Sequence, residues 1–198
     1  MNIEKIYEKY SVPPNLQKHM KRVAEVANFI KIHWKGPWLD WEIIQKSALL
    51  HDIGNIVKFD LDKYSDLLGT KKDNVSYWKN VQKKMIEKYG SDDHEATKKI
   101  LPEIKIDKKI IDIILKKSFG NSIKTAGGND WYLKILLYSD LRVLPSGLGT
   151  LNDRFDDIRK RMPKYTSRPN FERLLDACRN IEKQIQEQID VPISEIKI

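Results

Sequence analysis

The sequence predicts an all-α protein, a compact bundle of several helices. Three observations lead there. Apolar residues recur at intervals of three and four along most of the chain, and no stretch alternates apolar and polar over the length of a strand. Proline, glycine and short polar residues separate these stretches at positions suited to helix caps. No tandem repeat or low-complexity tract interrupts the pattern. The 198 residues, 40% hydrophobic and 32% charged, are enough for one well-buried core and few for two. One domain is therefore expected over 1–198, with a core of about 14–145 on which helices at 150–190 pack.

Residues 2–10 read as a short helix ended by Ser11-Val12-Pro13-Pro14, because the residue before a proline is pushed out of helical geometry. Asn15 is the expected cap of a second helix. On it His19, Val23, Val26, Ala27 and Ile30 form one stripe, so a histidine shares the inward face with aliphatic residues. After Gly36-Pro37, Asp40 caps a helix from about Trp41 to Ile53. Residues 55–73 read as an irregular loop with one helical turn near Tyr64 to Leu68.

A helix from about Asn74 to Tyr89 follows, its inner row Trp78, Val81, Met85 and Ile86, and Gly90 stops it. Ser91 to Glu95 is an acidic helix start leading to Leu101, closed by Pro102. Asp107 begins a helix whose five isoleucines and leucines leave it apolar on most of its circumference, hence central. Gly120 to Gly128 reads as a glycine-rich loop without phosphate-loop spacing. Asn129 to Val143 is helical, with Leu133, Leu136, Leu137 and Asp140 on one face. Two more helices, about Leu151 to Met162 and Asn170 to Ile189, complete the chain. The seam of Phe171, Leu174, Cys178, Ile181 and Ile185 on the last one is too short to favour a coiled-coil partner over its own core.

Lysine and arginine exceed aspartate and glutamate, 36 against 28, which favours small anionic partners such as phosphate esters. The lysines are spread rather than massed, so nucleic acid is not the expected partner. No apolar run is long enough for a membrane span, and Met1 to Lys5 lacks the order of a signal peptide. The single cysteine, Cys178, suits a reducing cytoplasm. A monomer or a homodimer is expected.

Leu49-Leu50-His51-Asp52-Ile53-Gly54 sets a histidine and an aspartate side by side in an apolar run, where each must find a partner or lose solvation for nothing. Neighbours on a helix point roughly 100° apart, so the pair converges only on something beside the helix end, with Gly54 leaving backbone room for it. A metal ion fits. His19 and Asp140 also lie inward, and two imidazoles with two carboxylates suit one divalent ion: Mn, Fe, Co, Ni, Zn or Mg.

The order of these residues, together with Leu137-Tyr138-Ser139-Asp140-Leu141-Arg142-Val143 and Leu151-Asn152-Asp153-Arg154-Phe155, resembles the HD superfamily of metal-dependent phosphohydrolases, in its small stand-alone prokaryotic form. The resemblance implies that His19, His51, Asp52 and Asp140 hold the cation and that a metal-activated water attacks a small phosphate ester, plausibly a nucleotide. The alternative is a catalytically weak nucleotide-binding or regulatory protein of the same fold. Multi-metal relatives carry further histidines. Here His94 alone lies in that interval, and Lys117-Ser118-Phe119 stands where another would be expected. One metal follows, with Asp52 and His94 as the catalytic pair and His94 outside the ligand set. Many relatives have a lysine after the glycine of the dyad motif; this chain has Asn55, with Lys58 nearby. Lys18, Arg22 and Lys58 are the candidate substrate-binding cations. Arg142 is expected in a structural ion pair, and His33 at a solvated helix end.

Overall fold

The computed structural model describes residues 1–62, 75–167 and 169–196. Helices dominate: α1 Ile3–Lys9, α2 Pro14–His33, α3 Trp41–Leu50, α4 Val75–Tyr89, α5 Asp93–Glu103 and α6 Lys108–Lys116, then α7 Ser122–Gly127, α8 Trp131–Leu141, α9 Leu151–Arg161, α10 Pro163–Thr166 and α11 Phe171–Gln186. The helical turn expected near Tyr64 to Leu68 lies outside the described residues. No helix among those described is long and apolar enough to cross a membrane.

Helix α2 is the axis of the molecule. Met20, Val23, Val26, Ala27 and Ile30 on its inner stripe are wholly buried. Each large aliphatic there contributes about 1.5–3 kcal/mol by leaving water. Its start differs from expectation. Pro14 occupies the first turn, where a missing amide proton does no harm, and Asn15 is drawn inside the helix, its Oδ1 buried without a partner. Asp40 caps α3 by accepting from the Glu42 amide at 3.1 Å, and Gly90, at φ +98, lets the chain leave α4.

Two apolar clusters form the interior. One gathers α1, α4, α5 and the apolar residues Leu50, Ile53 and Ile56; the other gathers α8, α9 and α11. Helices α2, α3 and α6 contribute to both: Met20, Leu50 and Ile114 face the first, while Val23, Ala48 and Ile113 face the second. The α11 seam, Phe171 to Ile185, is buried inside this second cluster.

Several expectations are corrected. Helix α6 buries only the face of Ile110, Ile113 and Ile114, with Lys108, Lys109 and Lys116 outside, so it is amphipathic rather than central. The Gly120 to Gly128 stretch is largely helical: a 3₁₀ turn, Phe119–Asn121, runs into α7. Helix α8 stops at Leu141 because the chain turns at Pro145-Ser146. A two-residue antiparallel ladder results, β1 Val143–Leu144 with β2 Gly147–Leu148, pairing Val143 with Leu148 and Leu144 with Gly147. It is too short to leave a period-two pattern. The carboxyl-terminal segment returns to α2. Trp34 and Ile189 form an antiparallel bridge, and Asp190 meets His33 Nδ1 at 2.9 Å and Lys35 Nζ at 2.8 Å.

Candidate metal centre

The dyad does not lie in a helix. Helix α3 ends at Leu50, and His51 is its C-cap, followed by tight turns in which the Ile53 amide donates to the Leu50 carbonyl and the Asn55 amide to the Asp52 carbonyl. A 3₁₀ turn, Asn55–Lys58, comes next. This tighter winding, in place of the expected helix to Ile53, swings both side chains toward α2. Gly54 has another task than the one expected of it. A Cβ there would stand 2.6 Å from the Thr97 amide nitrogen and 2.7 Å from Thr97 Oγ1. The glycine lets the turn dock on α5, donating its amide to Thr97 Oγ1, rather than leaving room for a ligand.

Three segments bring the four inward residues together: α2 carries His19, the turn after α3 carries His51 and Asp52, and α8 carries Asp140. His19 Nε2 lies 3.0 Å from Asp140 Oδ1 and 3.8 Å from Asp52 Oδ2. His51 Nε2 lies 3.5 Å from both Asp52 Oδ1 and Asp140 Oδ1. Ligand atoms of His19, His51 and Asp140 all fall within 4.8 Å of one another. Ligand bonds of about 2.0–2.2 Å make the edges of a coordination polyhedron about 3.0–3.5 Å long, close to these spacings.

The decisive detail is His51. Its Nδ1 bonds the Ala48 carbonyl at 2.8 Å and so carries a proton, while Nε2 is buried with no hydrogen-bond partner. In the neutral ring the Nε2 lone pair then faces carboxylate oxygens, also lone-pair donors. Such a set is satisfied by a cation among them. The donor set fits a divalent ion.

Lys117 was not singled out by the sequence as part of this site. It is the C-cap of α6, its Nζ 2.6 Å from Asp140 Oδ2 and 3.7 Å from Asp52 Oδ1. Ser118 turns away and accepts the Gly120 amide. Burial works to raise the Asp140 pKa, but the Lys117 ammonium, the His51 ring and the His19 hydrogen bond outweigh it and hold the carboxyl well below its ordinary range. Asp52 is lowered in the same way, burial being overcome first by His51 and then by Lys117. Burial lowers the Lys117 pKa, yet Asp140 and Asp52 together raise it. All three groups are charged at neutral pH.

Arg154 is the second omission. From α9 its Nη2 donates to the Asp140 carbonyl at 2.9 Å and to that of Val143, and its Nε to that of Leu141 at 3.2 Å. It closes the carboxyl end of α8 directly behind Asp140. The residue was visible in the Leu151 to Phe155 motif, but nothing local marked its partner.

No side-chain hydrogen bond or ion pair among the described residues joins the remaining candidates to the four. His94 is exposed in the first turn of α5, and no hydrogen bond or ion pair among the described residues ties it to them. Lys58 pairs with Asp93 at 2.5 Å. Lys18 and Arg22 line a groove of about 350 Å³ on the outer flank of α2. Arg142, expected in an ion pair, donates to the Gly149 carbonyl and the Tyr138 hydroxyl; among the described residues no carboxylate stands within ion-pair distance of it, though the Asp153 pKa, lowered first by the Thr150 hydrogen bonds, is lowered to a smaller extent by its charge. Asn55 is buried.

Fold and site together define a helical protein with a histidine–aspartate cluster suited to one divalent ion. A family model described as the HD domain matches residues 16–190, and the chain belongs to that family, whose members are generally metal-dependent hydrolases that bind divalent metals. Neither the curated proteins nor the solved structures contain a match.

Proposed function

We propose that this protein is a metal-dependent phosphohydrolase that cleaves a small phosphate ester, a nucleotide being the favoured class. The observation that carries the reading is the unpartnered, buried His51 Nε2 set among His19, Asp52 and Asp140. His19, His51, Asp52 and Asp140 would hold one divalent ion. When bound, such an ion offsets charge building on a phosphoryl oxygen and lowers the pKa of water from ~15.7 towards ~7.

The chain's own residues do the positioning. The Ala48 carbonyl fixes the His51 tautomer, so Nε2 presents a lone pair inward. Arg154 holds the backbone of Asp140, and Lys117 orients its outer oxygen. The Asp52 and Asp140 side chains stay about one-fifth exposed, which leaves the cluster one open side for water and substrate. Lys58, Lys18 and Arg22 are the proposed cations for the rest of an anionic ester, and the net charge of +8 favours its approach. His94, at the surface of α5, is proposed to act outside the ligand set.

Protein purified without chelator is expected to carry one divalent ion and to turn over members of a nucleotide and phosphomonoester panel with Mn, Co, Ni or Mg. His51→Ala and Asp52→Ala should each remove both metal and activity, whereas His94→Ala should keep the metal. No metal and no turnover in the parent protein would end the reading.

A second reading is a nucleotide-binding regulator of the same fold. Lys117, already paired with both carboxylates, favours it, because that ammonium competes with a metal for them. Saturable nucleotide binding without product over hours supports this version, and multiple turnover removes it.

A further inference from the structure

We propose that Lys117 serves as the fixed second cation of this centre: the site takes a single divalent ion, and the phosphoryl group of its ligand binds between that ion and the Lys117 ammonium. The inference rests on the proposed metal centre and names which residue of this chain completes it.

The geometry is specific. Nζ touches Asp140 Oδ2 at 2.6 Å and approaches Asp52 Oδ1 at 3.7 Å, while His19 and His51 approach Asp140 through its other oxygen, Oδ1. The two sides of Asp140 are thus divided between the imidazole set and the lysine. The side chain of Lys117 is only 12% exposed, and its backbone amide donates to the Ile113 and Ile114 carbonyls, so the stem leaves α6 from a fixed point. A surface lysine would keep its ammonium in water; this one is drawn in by two carboxylates. The charge balance then selects the ligand. Asp52 and Asp140 carry two negative charges, a divalent ion cancels them, and Lys117 leaves the centre at +1, since an imidazole that ligates a metal adds no charge. A single positive charge beside a Lewis acid favours a phosphoryl anion. A second divalent ion would have to displace or face the ammonium at close range, which disfavours it strongly in a poorly solvated site.

The same charge makes opposite demands on metal and anion, and that gives a test a purely structural lysine would not pass. Binding of Mn²⁺ or Co²⁺ alone is measured by titration calorimetry for the parent protein and Lys117→Met, and inorganic phosphate is then titrated into each metal-loaded protein. The parent should take one ion per chain. Lys117→Met should bind the ion about tenfold more tightly, since the carboxylates lose a competing cation, and phosphate about tenfold more weakly. Lys117→Arg, which keeps the charge, should retain more phosphate affinity than Lys117→Met. If Lys117→Met does not fold, Lys117→Gln makes the same comparison. Two ions in the parent, or unchanged affinities for both metal and phosphate in the variant, overturn the role of Lys117 and leave the metal reading standing. Weakening of metal and phosphate together also overturns it, marking Lys117 as scaffold. No metal binding in either protein removes the metal reading itself, and this inference with it.

Discussion

A methyl group at Gly54 would meet the backbone of Thr97 at 2.6 Å, and neither the turn nor helix α5 can move without disturbing the apolar cluster between them. Gly54→Ala is expected to destabilise the protein by about 1–3 kcal/mol, as overpacking of a filled interior does, measured by urea unfolding. Because Asp52 lies two residues away in the same turns, its metal affinity should also fall. A variant as stable as the parent would refute the docking role. His19, His51, Asp52 and Asp140 stand out in the sequence only as a set, since a single histidine or aspartate on an apolar row is more often a satisfied core residue. Lys117 does not stand out. In a chain with 36 lysines and arginines, a lysine at a helix end looks like every other, and only the fold shows which one turns inward.

Helix α9 divides two tasks over its opening turns. Thr150 and Asp153 form a capping box at its start, bonded to each other, while Arg154 reaches the carbonyls that close α8. Thr150→Ala should lower stability by about 1 kcal/mol, the usual value of an N-cap, without changing metal affinity. Arg154→Leu should lower stability by about 1–3 kcal/mol for acceptors left without a donor, and should weaken metal binding because Asp140 loses its support. Parallel melting curves and metal titrations separate the two. Helix existence was readable from period and caps for most elements, and the ends were not. Helix α3 stops three residues early and α8 two, in both cases because side-chain and turn contacts beyond the helix compete with one more helical residue.

At the scale of the molecule, the candidate site joins both apolar clusters, since α2, α3 and α6 contribute to each and carry His19, the dyad and Lys117 at or beside their lengths. An ion bound only to the folded arrangement therefore stabilises the whole. At a free concentration 100 times its Kd it adds about 2.7 kcal/mol, roughly 5–10 °C in Tm for a chain of this size. Differential scanning calorimetry with and without Mn²⁺ checks this, and His51→Ala should show no such shift. The all-helical class was readable because period, capping and composition agreed along the whole sequence. The division into two clusters was not, because it depends on which helices are shared.

The bridge from Trp34 to Ile189, with Asp190 against His33 and Lys35, ties an early helix to nearly the last residues described. That closure sets an order of events during synthesis. At roughly 5–20 residues per second, some 8–30 s pass between the making of residue 35 and that of residue 190. In the same way His19 waits roughly 6–24 s for Asp140, and His51 and Asp52 roughly 4–18 s. Through that interval the nascent chain holds three of the four cluster residues without the fourth and its α2 stripe uncovered, so assembly of the candidate site waits for α8 to be made.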